Sequence, residues 1–154
     1  MLLGPAGFQY TAKDRAKEQG IAHKALLEAD EEIIIASPVI SGLKIEELIR
    51  LLKPKQEKGV RIRIVTWKAD SYAVGDSAYW MERQERMQNN GFETNLVEDY
   101  CQHYCIVDRE VVWNGSMNFL GKEDSADNLM CVCSKGLAAE LLEITFGKRE
   151  VDVD

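Results

Sequence analysis

Residues 31–37 read EEIIIAS and stop at Pro38. An unbroken run of β-branched residues bounded in this way suits a strand buried on both faces. The next segment has a different period. LKIEELIRLLK (43–53) sets Ile45, Leu48, Ile49 and Leu52 at helical spacing, with Pro54 expected to end or kink the helix and Gly59 to mark the next turn. VRIRIVTW (60–67) then alternates Val60, Ile62 and Ile64 with Arg61 and Arg63, as a second strand does. Strand, helix and strand in this order predict parallel strands joined by a right-handed crossover.

The remaining chain extends that plan. Residues 10–29 read as a helix with Ile21, Ala22, Ala25, Leu26 and Ala29 on one stripe, weakened at Gly20. His23, on this helix, reads as a surface residue. Residues 68–75 are a polar loop, SAYWMERQERMQNN (77–90) is a helix capped at Asn90-Gly91, and FETNLVE (92–98) is a strand. CQHYCIVD (101–108) and VVWNGS (111–116) form two more strands joined by a tight turn at Arg109-Glu110. After a loop at 121–127 come a strand, LMCVCS (129–134), and a closing amphipathic helix, GLAAELLEITF (136–146). The expected fold class is α/β: a mixed β-sheet flanked by helices on both faces. One domain is expected over 1–154, with an N-terminal arm and helix at 1–29 and a core at 31–146.

The 154 residues suffice for one compact core. Acidic residues outnumber basic ones 26 to 19, for a formal charge of -7, which argues against a strongly basic nucleic-acid surface overall. Local contacts remain open to Arg61, Arg63, Lys68 and Lys122, with solvated surface charge as the plainer reading of each. No apolar run reaches the length of a bilayer span. MLLGPAGFQ is too short, and too broken by Gly4, Pro5 and Gly7, for a signal peptide. GPAG is not followed by the Gly-Lys-Ser/Thr of a phosphate-binding loop. The four cysteines are therefore expected to be reduced thiols in a cytoplasmic protein.

Chemistry concentrates in CQHYCIVDREVVWNGSMN (101–118). On a regular strand, Cys101, His103 and Cys105 project from one side, while Cys131 and Cys133 share a side of another strand. Such a set suits zinc if the strands lie close, although the usual knuckle leaves two or more residues between paired cysteines. The plainer reading makes Cys105, Cys131 and Cys133 small apolar fillers. A Cys101–His103 nucleophile pair is a second reading, but no third orienting group is visible and the two side chains point in parallel.

The arrangement strand, Asp108, turn, strand, Gly-Ser-x-Asn resembles the phospholipase D-like superfamily, whose motif is His-x-Lys, four residues, Asp, then Gly-Ser-x-Asn. IIIASPVIS, KGVRIRIVT, VVWNGSMNFL and DNLMCV resemble successive landmarks of that fold over about residues 31–145. The SP-x-I-S and VW-x-GS-x-N phrasing is similar to the version appended to bacterial helicase-like proteins. The resemblance implies metal-independent phosphodiester chemistry with no cofactor, through a phosphohistidine, and a two-fold homodimer because one chain carries one motif. It assigns Cys101 to the nucleophile position and His103 to the phosphate-binding lysine. It further assigns Asp108 to the motif carboxylate, Ser116 and Asn118 to phosphate oxygens, and Asp127 to a supporting carboxylate.

Two of these positions depart from the family. A thiolate at Cys101 needs a lowered pKa to attack phosphorus, and His103 is a weaker phosphate ligand than lysine. Sliding the register by two residues, to make His103 the nucleophile, would demand lysine at Cys105 and aspartate at Glu110. The expectation is therefore a degenerate site that still binds phosphate or nucleic acid through His103, Ser116 and Asn118. The alternatives are an active phosphodiesterase or nuclease using Cys101 and His103, and a zinc-binding domain.

Overall fold

The computed structural model describes residues 24, 26–38, 42–68, 77–98, 101–115 and 129–148. Among the described residues, six strands form one mixed sheet: β1 (Glu32–Ala36), β2 (Arg61–Trp67), β3 (Glu93–Val97), β4 (Tyr104–Val107), β5 (Val111–Gly115) and β6 (Leu129–Cys133). Among the described residues, these helices with described bounds accompany them: α1 (Gly42–Glu57), α2 (Ser77–Asn89) and α3 (Lys135–Phe146). The strand order is β3-β2-β1-β4-β5-β6. β1, β2 and β3 run parallel, and β4, β5 and β6 continue from β1 as an antiparallel meander.

β1 is central, and all five of its residues are buried. Its side chains alternate between two cores. Ile33 and Ile35 join Ile45, Leu48, Ile49 and Leu52 of α1 and Met87 of α2, whereas Ile34 and Ala36 join Ala138, Leu141 and Leu142 of α3. Helices thus cover both faces, as the two-sided apolar run requires. Leu26 and Ala29 of the expected N-terminal stripe are buried in the first core.

The crossover helices end through backbone geometry that their glycines permit. At the end of α1, Val60 donates its N–H to Lys55 O and Gly59 donates to Gln56 O, with Gly59 at φ 98°. At the end of α2, Phe92 donates to Met87 O and Gly91 to Gln88 O, with Gly91 at φ 83°. Both are Schellman closures.

Two local expectations are corrected. α1 does not end at Pro54 but runs on to Glu57. Lys53 Nζ reaches Asn90 O at 3.0 Å and Lys55 Nζ reaches Ala29 O at 2.9 Å, tying the last turn to its neighbours. Those bonds hold it in place although proline offers no N–H. The β4–β5 turn centres on Asp108-Arg109 rather than Arg109-Glu110. Both residues have positive φ (53° and 55°), and Glu110 donates its N–H to Val107 O at 3.1 Å, the features of a type I′ turn. Among the described residues, no helix is long and apolar enough to cross a membrane.

Candidate functional site

Because β4 runs antiparallel to β1, with Ala36 opposite Tyr104, residues 101–103 lie at the C-terminal end of the parallel strands. This is the crevice position where open α/β sheets bind ligands. The N–H of Gly115, the first residue of the Gly-Ser-x-Asn turn, reaches His103 O at 3.5 Å. The structure therefore brings the start of that turn to His103. Ser116, Asn118, Lys122 and Asp127 lie outside the described residues.

Cys101 is 8% exposed and belongs to the core beneath α3, with Ala36, Val65, Tyr104 and Ile106. Its Sγ lies 3.6 Å from Val65 O and 3.5 Å from Gln102 O. Burial pushes the thiol up to about 11, against a smaller opposing effect from the backbone of Ser37. A thiol so shifted is protonated at neutral pH, the reverse of what a nucleophile requires. It borders a cavity of ≈ 120 Å³ formed also by Ala36, Val65, Val97, Tyr104, Ile144 and Thr145.

His103 is half-buried, and its Nδ1 is buried without a hydrogen-bond partner among the described residues. Gln102 Oε1 is in the same condition. Gln102 was not singled out from the sequence; its place between the two motif positions was the available signal. Tyr104, also passed over, is buried beside Cys101, and its hydroxyl meets Thr145 Oγ1 at 2.5 Å.

Cys101, His103 and Cys105 do not share one side. Cys105 is buried in the opposite core, with Trp113, Val107 and α1. β4 begins only at Tyr104, so strand alternation does not govern residues 101–103. Cys131 and Cys133 do share a side of β6, opposite Trp113 and Val111, but both are exposed rather than core fillers. Burial raises the Cys131 thiol, with a further rise from Cys133. Among the described residues, no group of three or more His, Cys, Asp or Glu side chains is placed to hold a metal ion.

Asp108 lies at the other end of β4 from Cys101. Its carboxylate accepts three successive backbone N–H bonds, from Asp30 (2.9 Å), Glu31 (2.8 Å) and Glu32 (2.9 Å). Burial alone would raise its pKa, but these donors together with Lys55 bring the net value below the usual carboxylate range. Its visible work is to bind the turn to the start of β1. Arg61 and Arg63 belong to the same region. Arg61 pairs with Glu93 and Glu32, while Arg63 is buried, pairs with Glu32 and stacks over Phe146 at 3.9 Å. Lys68, at the other end of β2, holds Glu98 at 2.7 Å. These partners favour structural roles over the phosphate contacts for which Arg61, Arg63 and Lys68 were candidates.

Residues 23–148 match the family model described as "Cardiolipin synthase, PLD-like domain". Among solved structures the fold is similar to that of Nuc from Salmonella typhimurium, a phospholipase D family member. The identity is 18%, the TM-score is 0.61, and 86% of each chain is covered. It is also similar to NucT from Helicobacter pylori, at 13% identity and TM-score 0.64, over 92% of this chain and 94% of that one. TrmBL2, an archaeal chromatin protein whose structure shows a novel mode of DNA binding, matches at 16% identity and TM-score 0.53. There 87% of this chain and 58% of that one are covered. No curated protein matches the sequence.

Proposed function

Since this chain belongs to the phospholipase D-like family, we propose that it is a family domain whose catalytic motif has degenerated and whose remaining task is to bind. Its ligand is a phosphodiester, with nucleic acid the class we favour. Its setting is a cytoplasmic, homodimeric component of a nucleic-acid-processing protein of helicase type. The observation that carries this reading is the state of Cys101. The position that family chemistry gives to an attacking histidine holds a buried thiol with its pKa pushed up to about 11. Phosphoryl transfer depends on a positioned nucleophile and on charge neutralisation, and a buried neutral thiol supplies neither.

Binding survives such a loss because it needs donors rather than a nucleophile. His103, with Nδ1 unpartnered among the described residues, stands next to the Gly115 backbone at the sheet end where ligands collect. Ser116 and Asn118 supply further donors in this reading. The DNA-binding chromatin protein among the fold neighbours makes nucleic acid a reasonable first ligand.

The test is incubation of end-labelled single-stranded DNA with the protein in EDTA. The wild type is expected to leave the DNA intact while DNA raises its melting temperature, as a ligand selective for the folded state does. The His103→Ala variant is expected to reduce that rise. The double variant Cys101→His, His103→Lys is expected to gain cleavage. Cleavage by the wild type that Cys101→Ala abolishes would overturn the reading in favour of an active enzyme.

A further inference from the structure

We propose that the cavity beside Cys101 is a pocket for one uncharged pyrimidine base, with Gln102 pairing to the edge of the ring. The cavity measures ≈ 120 Å³ and lies between the last turn of α3 and the C-terminal ends of the parallel strands. Ala36, Val65, Val97 and Ile144 give it apolar walls. Ile144 is 65% exposed, so its side chain stands at the mouth. The choice of a nucleobase among neutral rings rests on the nucleic-acid reading above.

Charge is excluded first. Burial pushes the Cys101 thiol up to about 11 and is also the largest cause that takes the Tyr104 hydroxyl up to about 12. Both groups line the cavity. A place that penalises a thiolate and a phenolate penalises a phosphate for the same reason, the loss of water around an anion. Among the described residues, no lysine or arginine lines the cavity to offset that cost. The occupant is therefore neutral. Size narrows it further. An engineered apolar cavity of about 150 Å³ holds benzene. The volume here is of the order that takes one six-membered ring, its substituents projecting through the mouth, and is too small for the two fused rings of a purine.

Polar atoms select among such rings. Gln102 lines the cavity, and its Oε1 is buried with no hydrogen-bond donor among the described residues. An acceptor in that condition gains from any N–H that enters. Thymine and uracil present a ring N–H on their pairing edge, and cytosine presents an amino group. The Tyr104 hydroxyl and Thr145 Oγ1 bond to each other at 2.5 Å, which uses one of their two hydroxyl protons and leaves the second to meet a ring carbonyl. Every pyrimidine base carries one. The next residue, His103, and the Gly115 backbone form the place proposed for phosphate. A single nucleotide then spans both, its phosphate at the histidine and its base in the cavity. A base that enters must leave its stack, which directs the pocket to single strands.

Two assays test the pocket: fluorescence anisotropy with end-labelled oligo(dT) and oligo(dA) of equal length, and thermal unfolding with thymidine, which carries no phosphate. Oligo(dT) is expected to bind about tenfold more tightly than oligo(dA), the order of discrimination that base-edge contacts give. Thymidine, unlike deoxyadenosine, is expected to raise the melting temperature. Two variants should remove both effects. Gln102→Leu deletes the pairing amide, and Ile144→Trp blocks the mouth from an exposed position that spares the core. A preference for oligo(dT) that both variants retain comes from strand flexibility rather than from the cavity, and it overturns the proposal. Equal binding of the two oligonucleotides with no response to thymidine also overturns it, and leaves the phosphodiester reading standing. A response to thymidine with neither oligonucleotide bound upholds the pocket and overturns that reading instead. Silence in both assays overturns both.

Discussion

Asp108 combines an uncommon conformation with an uncommon concentration of bonds. Its φ of 53° suits aspartate better than most residues, and the three N–H groups it accepts belong to consecutive residues 76 to 78 positions earlier. Its carboxyl is held below the ordinary 3.8, so its contribution is complete above that value and is lost as pH falls through the depressed one. Asp108→Asn keeps the backbone geometry and an acceptor but removes the titration. Urea unfolding followed from pH 7 down to about pH 2 should therefore show a shallower acid limb in the variant. Asp108→Ala should cost about 2 kcal/mol at pH 7. A second residue-scale expectation concerns the thiols: of the four cysteines, Cys131 and Cys133 should react first with an aromatic disulfide reagent at pH 8. Cys101 and Cys105, both buried, should wait for denaturant. Uniform reaction of all of them would contradict the burial described. The sequence made Asp108 legible as a motif landmark but not its task, because its partners are main-chain donors that carry no residue signature.

At the scale of elements, Ser134 joins two of them. Its N–H completes the β5–β6 ladder at Glu110 O, and its side chain accepts from Leu137 N at 3.1 Å to cap α3. Ser134→Ala should remove only the cap and cost about 1 kcal/mol in thermal or urea unfolding. A loss well above that would mean that the strand end is disturbed as well. Most elements could be read from periodicity, since their cores lie on one stripe or alternate across one sheet. Ile45, Leu48, Ile49 and Leu52 are buried where helical spacing put them. Elements were misjudged where tertiary bonds override a local rule. Lysine side chains hold α1 past Pro54, and β4 begins three residues later than its composition suggests. That late start separates Cys101 from Cys105 and undoes the expected thiol and imidazole set. The I′ turn was also missed in detail, because neither Asp108 nor Arg109 is the glycine that usually announces positive φ.

Across the whole molecule, Glu32 links the parallel and antiparallel halves. It is buried at the start of β1 and faces Arg109 of the β4–β5 turn at 2.9 Å, with Arg61 and Arg63 of β2 each at 3.6 Å. Glu32→Ala leaves three guanidinium groups around a missing carboxylate and should cost about 3 kcal/mol, since breaking a buried pair exceeds the worth of making it. A urea midpoint shift with unchanged slope would register this as lost stability rather than a changed fold. β1 itself carries a further consequence. It gains its β2 neighbour after a short crossover, but its β4 neighbour lies some seventy residues farther along the chain. A ribosome extending this chain at about 5–20 residues per second therefore releases β4 roughly 3–14 s after β1. In that interval the strand at the centre of the finished sheet is an apolar margin without its partner. For a nascent chain, the vulnerable interval runs from the emergence of β1 to the arrival of β4.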